Sequence, residues 1–281
     1  MGTWNDNADR HDAQHGEKGD WFGNTLIKPY LKRCLGVFGK KKGISVLDVG
    51  CGNGDTSRFF AAQGADVTAI DAANRMIRNA KKYTTKRIKY VCGDFLKSRF
   101  ARKFDLLACI NVLQDTPDMD KIVRKLYKCC HPDSQVVVVI KHPCFAPKDD
   151  NLGWTLVDDK GIESQAGQGL SNVLMSGKNY KGKHFINDGY FSRKVTQRSW
   201  GEVSTKLYHF TLSTYIKAFM DNGFTLVDMQ EPKPADKTPD HLMKDLASRV
   251  PVFLMMRFAP AAKLKPRVRQ KQNESKHAVV K

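Results

Sequence analysis

The residues most able to do chemistry stand where three short apolar runs end in glycines and acids. The first run passes at Asp48 into a turn with glycines at positions 50, 52 and 54. Such glycines permit positive φ and let a ligand lie against bare backbone. The second run ends at Asp71, where a carboxylate can accept hydrogen bonds from both hydroxyls of a ribose. The third ends at Asp94 and Phe95, which suit an adenine ring, so the pattern predicts an adenosine-containing ligand.

Alternating strands and helices must position these residues. The predicted strands are 44–49, 66–70, 88–92, 104–110 and 135–140, and the predicted helices are 55–63, 74–83 and 119–130, the last ended by His131 and Pro132. Strands that alternate with helices predict a parallel sheet. Ligands of open α/β sheets bind at the carboxyl ends of the strands, where all three acid clusters fall.

The rest of the chain completes this sheet. A helix is predicted over 213–222 and strands over 224–229 and 250–258, a pair that closes such a sheet with an antiparallel edge. The expected fold is therefore α/β, a Rossmann-like seven-stranded, mostly parallel sheet with helices on both faces and an insertion after the fifth strand. The expected organisation is an N-terminal lid segment (1–42), a core (43–142 and 207–260), an insertion covering the acceptor site (143–206) and a basic, disordered tail (261–281).

The first three clusters resemble the class I S-adenosylmethionine-dependent methyltransferases. The resemblance rests on D-V-G-C-G-x-G from Asp48 to Gly54, an acid after the second strand, and G-D-F after the third. It implies that S-adenosyl-L-methionine is the cofactor, with Asp48 at its amino group, Asp71 at its ribose, and Asp94 and Phe95 at its adenine. The other implied cofactor-binding residues are Gly50, Cys51, Gly52, Gly54, Ala72 and Asn111. A nicotinamide dehydrogenase is the competing interpretation, but its G-x-G-x-x-G motif would need glycine where Asp55 stands.

A second resemblance concerns the acceptor. The segments Lys141–Phe145 and Leu207–Tyr215 are similar to the ubiquinone-biosynthesis-like small-molecule methyltransferases, in which H-P-x-F follows the fifth strand and a Tyr-His pair precedes a helix. Methyl transfer from a sulfonium needs positioning and removal of one proton. His142 is the first candidate base and His209 the second, because neutral histidine accepts a proton near pH 7. Cys144 is expected to be a wall residue.

Aromatic side chains are candidates for covering the site. Trp4, Trp21 and Phe22 in the N-terminal segment could exclude water from the sulfonium. Four aromatic residues of the insertion could form the wall of the acceptor pocket: Trp154, Tyr180, Tyr190 and Phe191.

The residues also bear on other methyltransferase chemistries and on one non-enzymatic role. The run Asn111 to Asp115 lacks the N/D-P-P-Y/F of the amino-methylating branch and the cysteine of cytosine C5 enzymes. A ribose 2′-O enzyme needs a K-D-K-E set, of which Lys141 and Glu231 could be two members, but Asn111 stands in the position of the aspartate. A cofactor-binding subunit without catalysis would be expected to have a degraded turn, whereas Asp48 to Gly54 is intact.

The strongly positive net charge of the chain leaves RNA as the alternative methyl acceptor to a small molecule. Lys and Arg outnumber Asp and Glu by 47 to 29, which gives a net charge of +18, and the excess extends into the tail. Such a surface and tail could bind a polyanion or form a nuclear address. The sequence predicts no oligomeric state.

The seven cysteines and the first twenty residues indicate in which cellular compartment the protein lies and whether it binds a metal. The sequence has no C-x-x-C pair and no apolar signal core, so it predicts reduced thiols, no metal site and no membrane span. A cytoplasmic location is expected, with a nuclear one left open by the basic tail.

Overall fold

A computed structural model describes most of the 281-residue chain. The described residues are 3–145, 155–157, 184–186, 190–191, 195–200, 203–235, 237 and 242–261. Trp154, Tyr180 and residues 262–281 of the tail lie outside these ranges.

Seven helices and eleven strands make up the described regular structure. The helices are α1 (Trp4–His15), α2 (Lys28–Gly36), α3 (Asp55–Ala62), α4 (Asn74–Lys82), α5 (Met119–Lys128), α6 (Leu212–Asp221) and α7 (Leu242–Arg249). The strands are β1 (Ser45–Val49), β2 (Asp66–Asp71), β3 (Ile88–Cys92), β4 (Phe104–Ile110), β5 (Cys130–Lys141), β6 (Thr155–Val157), β7 (His184–Ile186), β8 (Val195–Trp200), β9 (Val203–Tyr208), β10 (Phe224–Gln230) and β11 (Phe253–Pro260). A π-helical turn (Gly23–Ile27) leads into α2, and a 3₁₀ turn (Leu113–Asp115) follows β4.

Seven of the strands form one sheet in the order β10-β11-β5-β4-β1-β2-β3. All are parallel except β11, which pairs antiparallel with both of its neighbours. The predicted α/β fold with a mostly parallel seven-stranded sheet is confirmed. The antiparallel strand is not the edge strand, because β11 lies between β5 and β10.

Helices cover both faces of this sheet. On one face α5 and α6 pack against inward side chains such as Leu107, Val138 and Met256. On the other face α2, α3 and α7 pack against Leu106, Val137 and other apolar residues of alternate parity. The central strands are buried on both faces, which explains why β4 and the second half of β5 are continuous apolar runs. The sheet is therefore a rigid base whose carboxyl edge carries the acid clusters.

Several predicted boundaries were wrong, and the largest error is at the start of β5, which begins at Cys130 and not at residue 135. The helix predicted to reach Cys130 ends at Lys128, and Cys130 is a strand residue that pairs with Phe104 of β4. Its side chain is 5% exposed, so sheet pairing and burial outweigh helical continuation. The last strand begins at Phe253 and not at Val250, because Pro251 has no N–H to donate to a ladder. Helix α7, just before it, was not predicted.

Two short antiparallel pairs of strands are described between residues 155 and 208. Strand β6 pairs with β7, and β8 pairs with β9. Neither pair joins the seven-stranded sheet in the described part of the chain. Strand β9 runs through residue 207, where the sequence predicted the return to the core.

Candidate active site

The glycine-rich turn after β1 is held in shape by backbone hydrogen bonds and three positive φ angles. Gly50, Gly52 and Gly54 have φ of 69°, 53° and 81°, and the N–H of Gly50 donates to the carbonyl of Ile70 at 2.7 Å. A Cβ on Gly50 would come within 2.5 Å of Val112, so close packing requires glycine there. A Cβ on Gly52 would meet no heavy atom of the described residues within 4 Å. Gly52 therefore presents bare backbone to open space, as a bound ligand would require.

Asp71, at the end of β2, is tied to this turn. Its Oδ2 accepts from the N–H of Gly52 at 2.9 Å, and its Oδ1 accepts from the N–H of Ala73 at 2.8 Å. Burial raises the pKa of this carboxyl, and the two N–H donors oppose that shift. Each oxygen keeps a second lone pair, so the carboxylate can still accept from a ligand.

Asp48, in β1, is the other acid at this edge. It is 1% exposed, and its Oδ2 accepts from the hydroxyl of Ser57 in α3 at 2.6 Å. Burial raises its pKa to about 7; the Ser57 hydroxyl opposes this shift, and the charges of Asp71 and Asp55 add to it. A buried carboxyl of this kind is costly unless a cation or a proton compensates it.

The remaining predicted cofactor residues near β2 and β3 have different surroundings. Asp94 is exposed and its Oδ1 accepts from the N–H of Leu96 at 2.8 Å, so it shapes the turn after β3. Phe95 is 7% exposed and packs in the core, with the Lys125 ammonium 5.2 Å from its ring centroid. Ala72 is exposed beside Asp71, whereas the Cys51 side chain is buried in the core under the glycine-rich turn.

Asn111 follows β4 in an unusual conformation. It is the one non-glycine residue of the described chain with positive φ, at 58°. Its amide oxygen accepts from Nε2 of Gln114 at 3.3 Å, and Oε1 of Gln114 accepts from the N–H of Lys141 at 3.0 Å. Strained backbone of this kind persists where surrounding structure fixes it, often at functional sites. Gln114 thus joins the ends of β4 and β5.

A narrow cleft, with room for about one water molecule in this structure, opens beside Gln114. Its other lining residues include Lys141, Tyr208, His209, Phe210 and Tyr215. The Nε2 of His209 lies 2.7 Å from the carbonyl oxygen of Tyr190, which can only accept, so Nε2 carries the proton. In the neutral ring Nδ1 then has the lone pair. Burial raises the pKa of Tyr215, with a further contribution from the charge of Asp115, so this phenol stays a donor.

Tyr190 joins the insertion to the start of α6. Its hydroxyl accepts from the N–H of Leu212 at 2.8 Å, and its ring meets that of His209 edge-on at 5.9 Å. Phe191, also predicted as a wall residue, is 84% exposed.

His142, the first candidate base, has both ring nitrogens engaged. The N–H of Cys144 donates to Nδ1 at 3.3 Å, and Nε2 donates to Glu231 at 2.8 Å. Burial lowers the pKa of this histidine, and Glu231 opposes that shift. The pair connects the end of β5 with the residue after β10.

The two members of the ribose 2′-O set have separate partners. The Lys141 ammonium lies 4.1 Å from the ring centroid of Phe253 and 5.4 Å from that of Phe22, on the opposite face from α5 and α6. Glu231 pairs with His142.

Helix α1 crosses the carboxyl edge of the sheet. Nδ2 of Asn53 donates to Asp12 at 3.1 Å and to the carbonyl of Gly16 at 3.2 Å. The indole N–H of Trp4 donates to Asp115, after β4, at 3.2 Å. Helix α2, by contrast, is a core helix, and Trp21 and Phe22 pack on the same core.

Several residues of this region were not predicted as site residues: Asp12, Asn53, Ser57, Gln114 and Tyr215. Ser57 stands in the first turn of the helix that opens from the glycine-rich turn, and Tyr215 ends the segment that begins at Leu207, so their positions could have identified both. Asp12, Asn53 and Gln114 carry no local signal, since a partner of each lies far along the chain.

Neither a metal cluster nor a membrane helix is found in the described ranges. They contain no group of three or more His, Cys, Asp or Glu side chains arranged to hold a metal. No helix among them has the length and apolar character needed to cross a bilayer.

Comparison with known proteins agrees with this geometry. Residues 47–138 match the family described as "Methyltransferase domain". Ubiquinone biosynthesis O-methyltransferase of Coxiella burnetii is 32% identical over 115 residues, which cover 40% of this chain and 49% of the relative. That of Idiomarina loihiensis is 34% identical over 106 residues, covering 36% and 42%. The chain therefore spans about half the length of the curated relatives it matches.

Solved structures share the fold over most of the chain. An S-adenosylmethionine-dependent methyltransferase of Mesorhizobium loti superposes with a TM-score of 0.61 at 21% identity, covering 82% of this chain and 96% of that one. One from Clostridium acetobutylicum gives 0.55 at 11% identity, covering 92% and 99%. At these identities the likeness shows the fold alone. The matched methyltransferase domain, residues 47–138, includes the turn at Asp48 to Gly54, and the solved structures extend the shared fold over most of the remaining chain.

Proposed function

We propose that this chain transfers the methyl group of S-adenosyl-L-methionine to a small or medium-sized organic acceptor. The observation that carries the proposal is the cradle formed by Asp48, Asp71 and the open backbone of Gly52. The names of the curated relatives favour oxygen as the methylated atom.

The cradle suits each part of this cofactor. Asp71 would accept from the ribose hydroxyls, and Asp48 would compensate the methionine amino group, whose charge would in turn offset the cost of burying this carboxyl. The backbone of Gly50 and Gly52 would lie against the cofactor. The cofactor supplies a methyl group on a sulfonium, ready for in-line displacement.

The cleft beside Gln114 is the proposed acceptor site. Its aromatic side chains favour a flat or apolar acceptor, with Tyr215 available as a hydrogen-bond donor. His209 is the preferred base, because it lines this cleft and its Nε2 proton is fixed by Tyr190. His142 is the less favoured base, because Cys144 and Glu231 occupy its two nitrogens.

Partners and location are part of the proposal. The partner is a small-molecule acceptor, and the described residues add nothing to the RNA alternative beyond the net charge. All seven cysteines are free thiols, which supports a reducing compartment such as the cytoplasm.

The test begins with binding. In calorimetry, wild type should bind S-adenosyl-L-methionine, and Asp71→Ala should lose at least about tenfold in affinity, as expected when a hydrogen bond involving a charged group is lost. Asp66→Ala is the matched control, because Asp66 begins the same strand but is half exposed and pairs with Arg87. Absence of binding by wild type would contradict the proposal.

The acceptor is then sought with tritiated methyl donor. Label should enter small molecules of a cell extract and not purified RNA. Label in RNA alone would replace the small-molecule proposal with the RNA alternative, and salt-sensitive RNA binding would accompany it.

A further inference from the structure

Helix α1 is fastened to the proposed cofactor site at its C-terminal end. The Asp12 carboxylate is 7% exposed and accepts from Asn53, a residue of the glycine-rich turn. Arg58 strengthens this junction, since it donates to the carbonyl of Asn53 at 2.7 Å and to that of Gly16 at 3.2 Å. A displacement of the glycine-rich turn is therefore transmitted directly to α1.

The other end of α1 is fastened to strand β9 through Asn7. This side chain is 2% exposed, and its amide makes both possible bonds with the backbone of Ser204. Nδ2 donates to the carbonyl of Ser204 at 2.7 Å, and Oδ1 accepts from the N–H of Ser204 at 3.0 Å. Nδ2 also donates to the carbonyl of Thr3 at 2.9 Å. The Asn7 amide thus pairs with β9 as a neighbouring strand would.

Strand β9 leads into the cleft. Leu207, Tyr208 and His209 line it and follow Ser204 within five residues. In the described chain β9 pairs with β8 and with no strand of the seven-stranded sheet. Its position over the sheet therefore depends on contacts such as that with Asn7.

We infer that Asn7 is a positioning residue that couples the cofactor site to the acceptor cleft through α1. Cofactor binding at the glycine-rich turn restricts the motion of α1. The hydrogen bonds of Asn7 then restrict the motion of β9 and, through it, of His209. The inference rests on the proposed function. Because coupling between two sites is reciprocal, an acceptor raises cofactor affinity by the same factor as the cofactor raises acceptor affinity.

Hydrogen exchange of the full chain tests this without any acceptor. S-adenosylhomocysteine, the methyl-free product, is the probe. In wild type it should slow amide exchange in both 50–54 and 203–208. In Asn7→Ala it should still slow exchange in 50–54 but no longer in 203–208. Asn7→Asp, which places a carboxylate oxygen against the Ser204 carbonyl, should behave the same way.

Asn5→Ala is the matched control. Asn5 lies on the same helix, and its Oδ1 accepts from the N–H of Arg75 in α4, not from β9. This variant should keep probe-induced protection in both segments. Protection of 203–208 that persists in both Asn7 variants, or that is missing in wild type while 50–54 is protected, would overturn the inference. Failure of the probe to bind wild type would instead contradict the proposed function.

Kinetics give a second readout once an acceptor is known. At saturating cofactor, Asn7→Ala should raise the acceptor KM by about tenfold, as expected for loss of a buried hydrogen-bonded contact, and it should change the cofactor Kd measured without acceptor less than twofold. Equal changes in both constants would indicate a general loss of structure and contradict a positioning role.

Discussion

At the scale of single residues, the site depends on carboxyl groups whose charge is set by their neighbours. Asp48 has one hydroxyl donor and lies near two other acids, so without a cation it is half protonated near neutral pH. A cofactor ammonium would favour the ionised carboxylate and lower its pKa. Binding must therefore expel a proton whenever the pH lies below the pKa of the free site.

This predicts that cofactor affinity rises with pH. Between about pH 5.5 and 7, Kd should fall by up to tenfold per pH unit, and it should level off above about 7, while the cofactor amino group stays charged up to about pH 7.7. Calorimetry over this range in two buffers would detect the released proton. Asp48→Asn should bind more weakly with a flat profile; an unchanged slope in that variant would exclude Asp48 as the titrating group.

Substitution of His209 should lower the catalytic rate, whereas substitution of His142 should lower the stability of the fold. His209→Gln should lower kcat by about 10²- to 10⁴-fold, the usual contribution of a general base, with little change in cofactor Kd. His142→Gln breaks the contacts with Glu231 and Cys144, so it should lower the free energy of unfolding by about 1–3 kcal/mol and leave kcat within a few-fold. Steady-state rates and urea unfolding of both variants check this. If His142→Gln lowered kcat and His209→Gln lowered only the free energy of unfolding, His142 would be the base.

At the scale of elements, the site is made by the junction of β1 and α3. The sheet fixes the end of β1. The turn from β1 to α3 is short because glycines at 50, 52 and 54 adopt positive φ. Gly54 is the N-cap of α3 in the left-handed conformation, and Ser57 in the first turn reaches back to Asp48. One turn therefore shapes both the backbone cradle and the charge within it.

Replacement of Gly52 by alanine should weaken cofactor binding more than it lowers the stability of the fold. The added Cβ would enter the space left open for the cofactor, so Kd should rise by at least about fivefold, since overpacking costs about 1–3 kcal/mol. Gly39→Ala is the matched control, because Gly39 has φ of 59° and a Cβ there also meets nothing within 4 Å among the described residues. Both variants should lose similar thermal stability, and only Gly52→Ala should lose affinity. Equal cofactor affinities of the two variants would contradict the proposed role of Gly52 in cofactor binding.

At the scale of the whole molecule, the strand order places the proposed cofactor-binding residues at one edge. Strands β1 and β4 are central neighbours, so Asp48 and Asn111 come from adjacent strands, with Asp71 one strand further out. The same order brings β5 beside β4 and lets Gln114 join their ends. Helix α1 then crosses this edge, with contacts to the glycine-rich turn and to Asp115, and is therefore the proposed cover of the site.

The sequence by itself determined the sheet and the position of the cofactor cradle. Strands buried on both faces appear as apolar runs, and a glycine-rich turn needs glycine wherever φ is positive, so both leave a local pattern. Strands β3 and β4 were predicted at their observed bounds, and Asp48 and Asp71 were placed at the edge where the structure has them.

The proposed cover of the site and the proposed preference between the two bases rest on contacts that only the tertiary structure shows. The partners Asn7 and Ser204 are 197 residues apart, and Trp4 and Asp115 are 111 apart, so no local pattern indicates either contact. The engagement of both His142 nitrogens likewise depends on Glu231, 89 residues away. Long-range hydrogen bonds of single polar side chains have no periodicity, and packing alone brings them together.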